Sequence, residues 1–150
     1  MTGIQSGEDA GQVSPVVTGM LARDAFSRWL GVELVSVSAG RCTLRMQVRE
    51  DMLNGFGVSH GGIAYALADS AMAFACNTGS QITVAVDNGM TYPAAIHVHD
   101  VLVVDAVEET ATARLGFYRA TVRNQDGVVV ALFRGTVYRT ARLHLMDPPQ

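Results

Sequence analysis

One carboxylate, Asp69, stands alone in the run Gly61 to Cys76, where every other residue is uncharged and most are Ala, Leu, Ile, Met or Phe. No Lys or Arg lies within one helical turn of it along the chain. A carboxylate on an apolar helix is costly unless it is paired, neutralised or turned toward a site. That makes Asp69 the strongest candidate for a working group, either a nucleophile or a general base. Just upstream, Asn54-Gly55-Phe56-Gly57-Val58-Ser59-His60-Gly61-Gly62 brings an Asn, a His and two adjacent glycines to the start of that helix. A helix N-terminus offers unpaired N–H donors and the positive end of a dipole, which suits developing negative charge. Glycine there lets another group approach the backbone closely.

These residues need a scaffold, and the pattern supplies one. Val16 to Leu30 reads as a short helix anchored by Met20, Leu21, Phe26, Trp29 and Leu30 and ended by Gly31. Val32 to Ala39 reads as a strand. Arg41 to Arg49 alternates, with Cys42, Leu44, Met46 and Val48 on one face. A loop over 51–59 leads into the central helix, Gly61 to Asn77, with Gly79 as its stop. That helix is apolar on every face and is expected to be buried. Strands follow at Thr83 to Tyr92, broken near Asn88-Gly89, and at Val101 to Glu109. Leu115 to Asn124 and Val128 to Tyr138 form a hairpin around Gln125-Asp126-Gly127. This order predicts an α+β domain over 15–140, an antiparallel sheet wrapped around one long helix. Residues 1–14 read as a disordered lead and 141–150 as a flexible tail.

Composition narrows the function. The 150 residues suit a single domain with a real core. The net charge of −3 and the absence of a basic stripe argue against nucleic-acid binding. All 11 cationic residues are Arg, which reads as codon or genome bias. No signal peptide or clean apolar span is evident, so the expectation is a cytoplasmic protein without a membrane anchor. Cys42 and Cys76 read as small buried residues and not as a disulfide.

Asn54, Gly55, His60, Gly61, Gly62, Leu67, Ala68 and Asp69 together resemble the helix-opening motif of the hotdog-fold thioesterases. Val130 to Gly135, VALFRG, and Asn124-Gln125 are similar to the phenylacetic-acid-degradation subgroup. The resemblance covers roughly Leu30 to Arg139; it departs at Pro93-Ala94-Ala95-Ile96, where the family often has an Arg-bearing turn. It implies a hotdog acyl-CoA thioesterase acting on aromatic, phenylacetyl-type thioesters, ring-hydroxylated ones included, with CoA as part of the substrate and no separate cofactor or metal. It implies Asp69 as catalytic carboxylate, the Gly61 N–H as polariser of the thioester carbonyl, Asn54 near the thioester or the attacking water, and His60 orienting the turn. Gly62, Phe56 and Val58 would border the acyl group.

Spacing adds an inference of its own. Gly61 and Asp69 are eight residues apart, about 12 Å of helix rise. The Asp side chain leans back over only part of that distance. One thioester carbon therefore meets both groups only if they come from two antiparallel helices related by a two-fold axis. The expectation is a homodimer, or a homotetramer of two dimers, with active sites at the dimer interface.

Other readings remain in play. The chain could be a medium- or long-chain acyl-CoA thioesterase or a non-catalytic acyl-CoA-binding hotdog module. A hotdog hydratase is disfavoured because position 74 is Phe where that class, by resemblance, carries a His. Asn54 could simply hold the turn. Ser59 and Ser70 lack the sequence context of a serine nucleophile. His97 and His99, on one strand face before Asp100, are too few for a metal site. Arg114, Arg119, Arg123 and Arg134 are candidates for CoA phosphate contacts, or for a solvated strand face.

Overall fold

The alternation through Arg41–Gln47 becomes a strand whose Cys42, Leu44 and Met46 point inward and are almost inaccessible to solvent. The computed structural model describes residues 14–145. Two short helices come first, α1 (Pro15–Arg23) and α2 (Ala25–Leu30). They are followed by β1 (Glu33–Ser38), β2 (Arg41–Gln47), the long helix α3 (Gly61–Cys76), β3 (Gln81–Thr91), β4 (Val101–Ala111), β5 (Leu115–Arg123) and β6 (Val129–Leu143). All strand pairings are antiparallel, in the spatial order β1-β2-β4-β5-β6-β3. The sheet wraps α3, which is the expected α+β hotdog arrangement.

The shared core explains the wrap. Ile63, Ala64, Leu67, Ala68, Ala71, Met72, Phe74 and Ala75 of α3 are buried together with Leu44, Leu102, Val104, Ala120, Val122, Phe133 and Val137 of the strands. Each fully buried Leu, Phe or Met contributes about 1.5–3 kcal/mol. Sheet and helix approach tightly at Gly135 of β6, inside the VALFRG run. A Cβ there would overlap the Met72 sulfur and come within 2.9 Å of Asn88 Oδ1. Met72 is fully buried, so its side chain must repack within the core to make room. Gly135→Ala is therefore expected to cost about 1–3 kcal/mol, read as a lowered denaturant midpoint. An unchanged midpoint would mean that this contact can relax.

Several local expectations are corrected. The helix expected over Val16 to Leu30 is two helices, interrupted at Asp24. The Asp24 carboxylate accepts from the Ser27 N–H at 2.9 Å and the Ser27 hydroxyl at 2.6 Å, so it starts α2 as an N-cap, a role Asp prefers to a helix interior. A 3-10 turn, Glu50–Met52, opens the loop before α3. Asn77, not Gly79, ends α3: its amide donates to Ala73 O and Thr83 O and accepts from the Thr83 N–H. β3 is unbroken at Asn88-Gly89, which pair with Gly135 and Arg134; its two irregularities lie earlier, between Gln81 and Thr83 and between Ala85 and Asp87. β4 runs on to Ala111 and β6 to Leu143 because each finds a partner strand to its end. His97 and His99 lie in a loop, not on a strand face, and His99 has φ 71°.

The lead segment expected over 1–14 lies outside the described residues except for Ser14, and so does the tail beyond 145. Within the tail, His144 donates its N–H to Ser80 O at 2.8 Å, and its ring Nε2 is 2.8 Å from Asn77 Oδ1. Both cysteines are free, and burial pushes each thiol up to about 12.

Candidate active site

The loop before α3 is built around Asn54. Its Oδ1 accepts from the Phe56 N–H at 2.9 Å and the Val58 N–H at 3.4 Å, while its own N–H donates to Val58 O at 2.8 Å. This is a local Asn turn of the kind that competes with regular structure. The carbonyl of Asn54 is thus committed to the turn; its Nδ2 meets no acceptor among the described residues. Phe56 stands at the tip, 93% exposed, with Val58 half-buried below it. Ser59 N–H to Ile96 O and His60 N–H to Met52 O, both 2.8 Å, pin the loop to the body.

Two side chains then fix the first peptide of the helix. His60 is the N-cap, and its Nδ1 accepts from the Gly62 N–H at 2.9 Å. Accepting there requires a neutral imidazole with its proton on Nε2. Tyr92, just beyond β3, donates its hydroxyl to Gly61 O at 2.7 Å. The Gly61–Gly62 peptide is held at both its oxygen and its N–H. The Gly61 N–H itself has no acceptor among the described residues. It is an open donor at the positive end of a 16-residue helix.

Asp69 lies further along α3, on a stripe with Gly62, Tyr65, Ala66 and Ala73 that is only partly covered. The helix is therefore not buried on every face, as its composition had implied. Asn88 of β3 donates its Nδ2–H to Asp69 Oδ1 at 2.9 Å. Burial raises the Asp69 pKa above the ordinary Asp range, and the Asn88 hydrogen bond offsets part of that rise. With Tyr92 on Gly61, Asn88 on Asp69 and Thr83 on Asn77, the strand β3 runs antiparallel along the partly covered stripe of α3. Neither Asn88 nor Tyr92 is among the site residues expected from the sequence, which places them only on the strand Thr83 to Tyr92. Asn88-Gly89 looked like a turn signal. The signal that could have found Asn88 is its inward parity on β3, where a polar side chain must meet something on the helix.

The remaining candidates are placed elsewhere. Ser59 Oγ donates to the His60 carbonyl at 3.4 Å, and Ser70 Oγ meets Ser27 Oγ at 3.1 Å; neither addresses an imidazole. Arg114, Arg119, Arg123 and Arg134 are exposed on β5, β6 or the turn before them. Arg119 pairs with Glu109 at 3.1 Å and Arg123 donates to Gly127 O at 3.2 Å. Asn124 and Gln125 have structural contacts: Asn124 Oδ1 accepts from Asp126 and Val128 in the hairpin turn, and Gln125 ties that turn to buried Asp100 at 2.9 Å. Among the described residues no group of three or more His, Cys, Asp or Glu is placed to hold a metal ion. No helix among them is long and apolar enough to cross a membrane.

The thioesterase superfamily model matches residues 56–131. The acyl-coenzyme A thioesterase PaaI of Escherichia coli is 33% identical over 120 residues, 80% of this chain and 86% of the relative. Human acyl-coenzyme A thioesterase 13 is 30% identical over 125 residues, 81% of this chain and 89% of the relative. The structure of the E. coli PaaI protein from the phenylacetic acid degradation operon superposes with a TM-score of 0.83 at 30% identity, covering 88% of this chain and 99% of that one. A mutant structure of the phenylacetic acid degradation protein PaaI of Thermus thermophilus gives 0.74 at 38% identity, covering 78% and 100%.

Proposed function

The chain belongs to the thioesterase superfamily, and on that footing we propose that it hydrolyses acyl-CoA thioesters carrying an aromatic, phenylacetyl-type acyl group, ring-hydroxylated ones included. The observation that carries the chemistry is the pairing of an open helix N-terminal N–H at Gly61 with a half-buried, singly bonded carboxylate at Asp69. The Gly61 N–H stabilises the charge that builds on the thioester oxygen. Asp69 attacks the carbonyl carbon or takes the proton of the attacking water, and CoA thiolate leaves. His60 and Tyr92 keep the Gly61–Gly62 peptide oriented.

The two groups are too far apart along one helix to serve one carbonyl. The arrangement of β3 supports a shared site. β3 is a sheet edge of 11 residues, paired only with β6, and it exposes Val84 and Val86. A long apolar edge is a template for another strand. A second copy placed antiparallel at this edge covers the stripe of α3 that holds Asp69 and brings the mate's Gly61 toward it. The dimer therefore has two equivalent sites at its interface, bordered by Gly62 and by the exposed Phe56–Val58 loop, with Asn54 Nδ2 as a donor beside it. A pair of such dimers makes a tetramer; sedimentation separates the two assemblies.

The aromatic assignment rests on the subgroup likeness in VALFRG and on relatives named for phenylacetic acid degradation. Each methylene fitted or missed in a closed apolar slot is worth about 1–3 kcal/mol. Across an acyl-CoA panel, kcat/KM for phenylacetyl-CoA or its hydroxylated forms is expected at least about tenfold above that for acetyl-CoA. A profile led by palmitoyl-CoA would defeat the aromatic assignment and keep the thioesterase. Binding of every acyl-CoA without release of CoA would favour a non-catalytic module.

A further inference from the structure

The hydrogen bond between β3 and Asp69 places an amide in an otherwise unfavourable orientation. Asn88 turns its Nδ2–H toward Asp69 Oδ1, 2.9 Å away. Its own Oδ1 is thereby buried beside Gly135 with no hydrogen-bond partner among the described residues. A buried acceptor without a donor is costly and calls for a reason. The reason is electrostatic. An ionised carboxylate only accepts hydrogen bonds, so only the NH₂ end of the amide can face it. The orientation that orphans Oδ1 is the one that serves an ionised Asp69, and Gly135 is the residue whose missing side chain makes room for it.

We propose that Asn88 is a positioning residue for Asp69: it fixes Oδ1 of the ionised carboxylate and leaves Oδ2 as the oxygen that meets the thioester carbon or the attacking water. The inference rests on the thioesterase reading for its catalytic meaning, but the Asn88–Asp69 link can be measured without turnover. Asn88 is the one side chain that hydrogen-bonds Asp69 among the described residues. Other titratable or charged groups around the helix include His60 at its N-cap, Tyr65 and Cys76 on α3 itself, Asp87 beside Asn88 on β3, Tyr92 after β3, Arg134 on β6 opposite Gly89, Cys42 on β2 and Asp24 at the Ser27–Ser70 contact. Toward the far end of the helix, Tyr118 and Arg139 both meet Glu108, at 2.7 and 3.3 Å. None of these groups hydrogen-bonds Asp69.

The test is a carboxyl ¹³C titration of Asp69 in the full chain, with kcat and KM measured against pH on phenylacetyl-CoA. Asn88→Leu removes the donor at the same heavy-atom count. It is expected to raise the Asp69 midpoint by about one pH unit and to move the acid limb of kcat by the same amount, with KM changed less than about twofold. Asn88→Asp keeps the shape but puts a second carboxylate on Asp69; its midpoint should rise further and titrate in two coupled steps. Should the Leu variant fail to fold, the Asp variant, equal in heavy atoms, decides. Midpoints unchanged in folded protein would overturn the proposal. Midpoints that move in a protein with no turnover on any acyl-CoA would keep the link but overturn its catalytic use.

Discussion

Asp69→Asn is expected to lower kcat by on the order of 10² or more, the loss typical of a missing base or nucleophile. The fold should survive, because the substituted amide still offers Asn88 a carbonyl to donate to. Stability gives an independent check. The folded-state pKa of Asp69 is raised, chiefly by burial. A carboxyl of this kind binds its proton more tightly when folded than when unfolded. Its ionisation therefore removes stability as pH climbs from the ordinary Asp value through the raised one. At neutral pH the Asn variant should melt no lower than the parent, while turnover collapses. In the parent, the acid limb of kcat/KM should lie above the ordinary Asp range, because only the ionised form is active and its pKa is raised. A folded Asp69→Asn protein with near-normal turnover would remove Asp69 from the mechanism.

Gly61→Pro should cost about 10²–10³ in kcat, the usual effect of deleting one oxyanion donor. Proline at the first helical position loses only an N–H that the helix does not use. The residue before a proline must be extended, and His60 already is, at φ −58° and ψ 136°. The new Cβ comes within 3.2 Å of the Tyr92 hydroxyl, which can yield because Tyr92 is 46% exposed. Gly61→Ala is the control: it adds the same Cβ and keeps the N–H, so it should lose far less. Equal losses in both would point to Tyr92 displacement instead of the missing donor. Mixing the two inactive proteins, Gly61→Pro and Asp69→Asn, then tests the shared site. Mixed dimers carry one intact site of two, so after random exchange about a quarter of parental activity should return. Proven exchange without recovery would mean that each chain builds its own site.

The sheet and helix were readable in the chain because the patterns are local: alternation marked β2, and an apolar run with a single carboxylate marked α3. The ends of elements were less readable. Asp24 splits one apolar pattern into two helices by a side-chain cap, and β4 and β6 extend as far as their partners do. At the site, Asp69, Gly61 and His60 could be picked out because their types are conspicuous against an apolar helix and a glycine turn.

The sequence by itself determined that a lone carboxylate and an unpaired helix N-terminus lie on one helix, about 12 Å of rise apart, since both facts depend only on residue order and helical geometry. The tertiary structure decided what touches them. Asn88 and Tyr92 lie 19 and 31 residues from their partners Asp69 and Gly61, and meet them only because β3 returns along α3. Pairing at such separations depends on sheet order and register, which no local pattern encodes. The same return leaves one stripe of an apolar helix partly covered beside an open sheet edge. Whether a face is buried depends on what packs over it, and here the sheet covers only part of the helix.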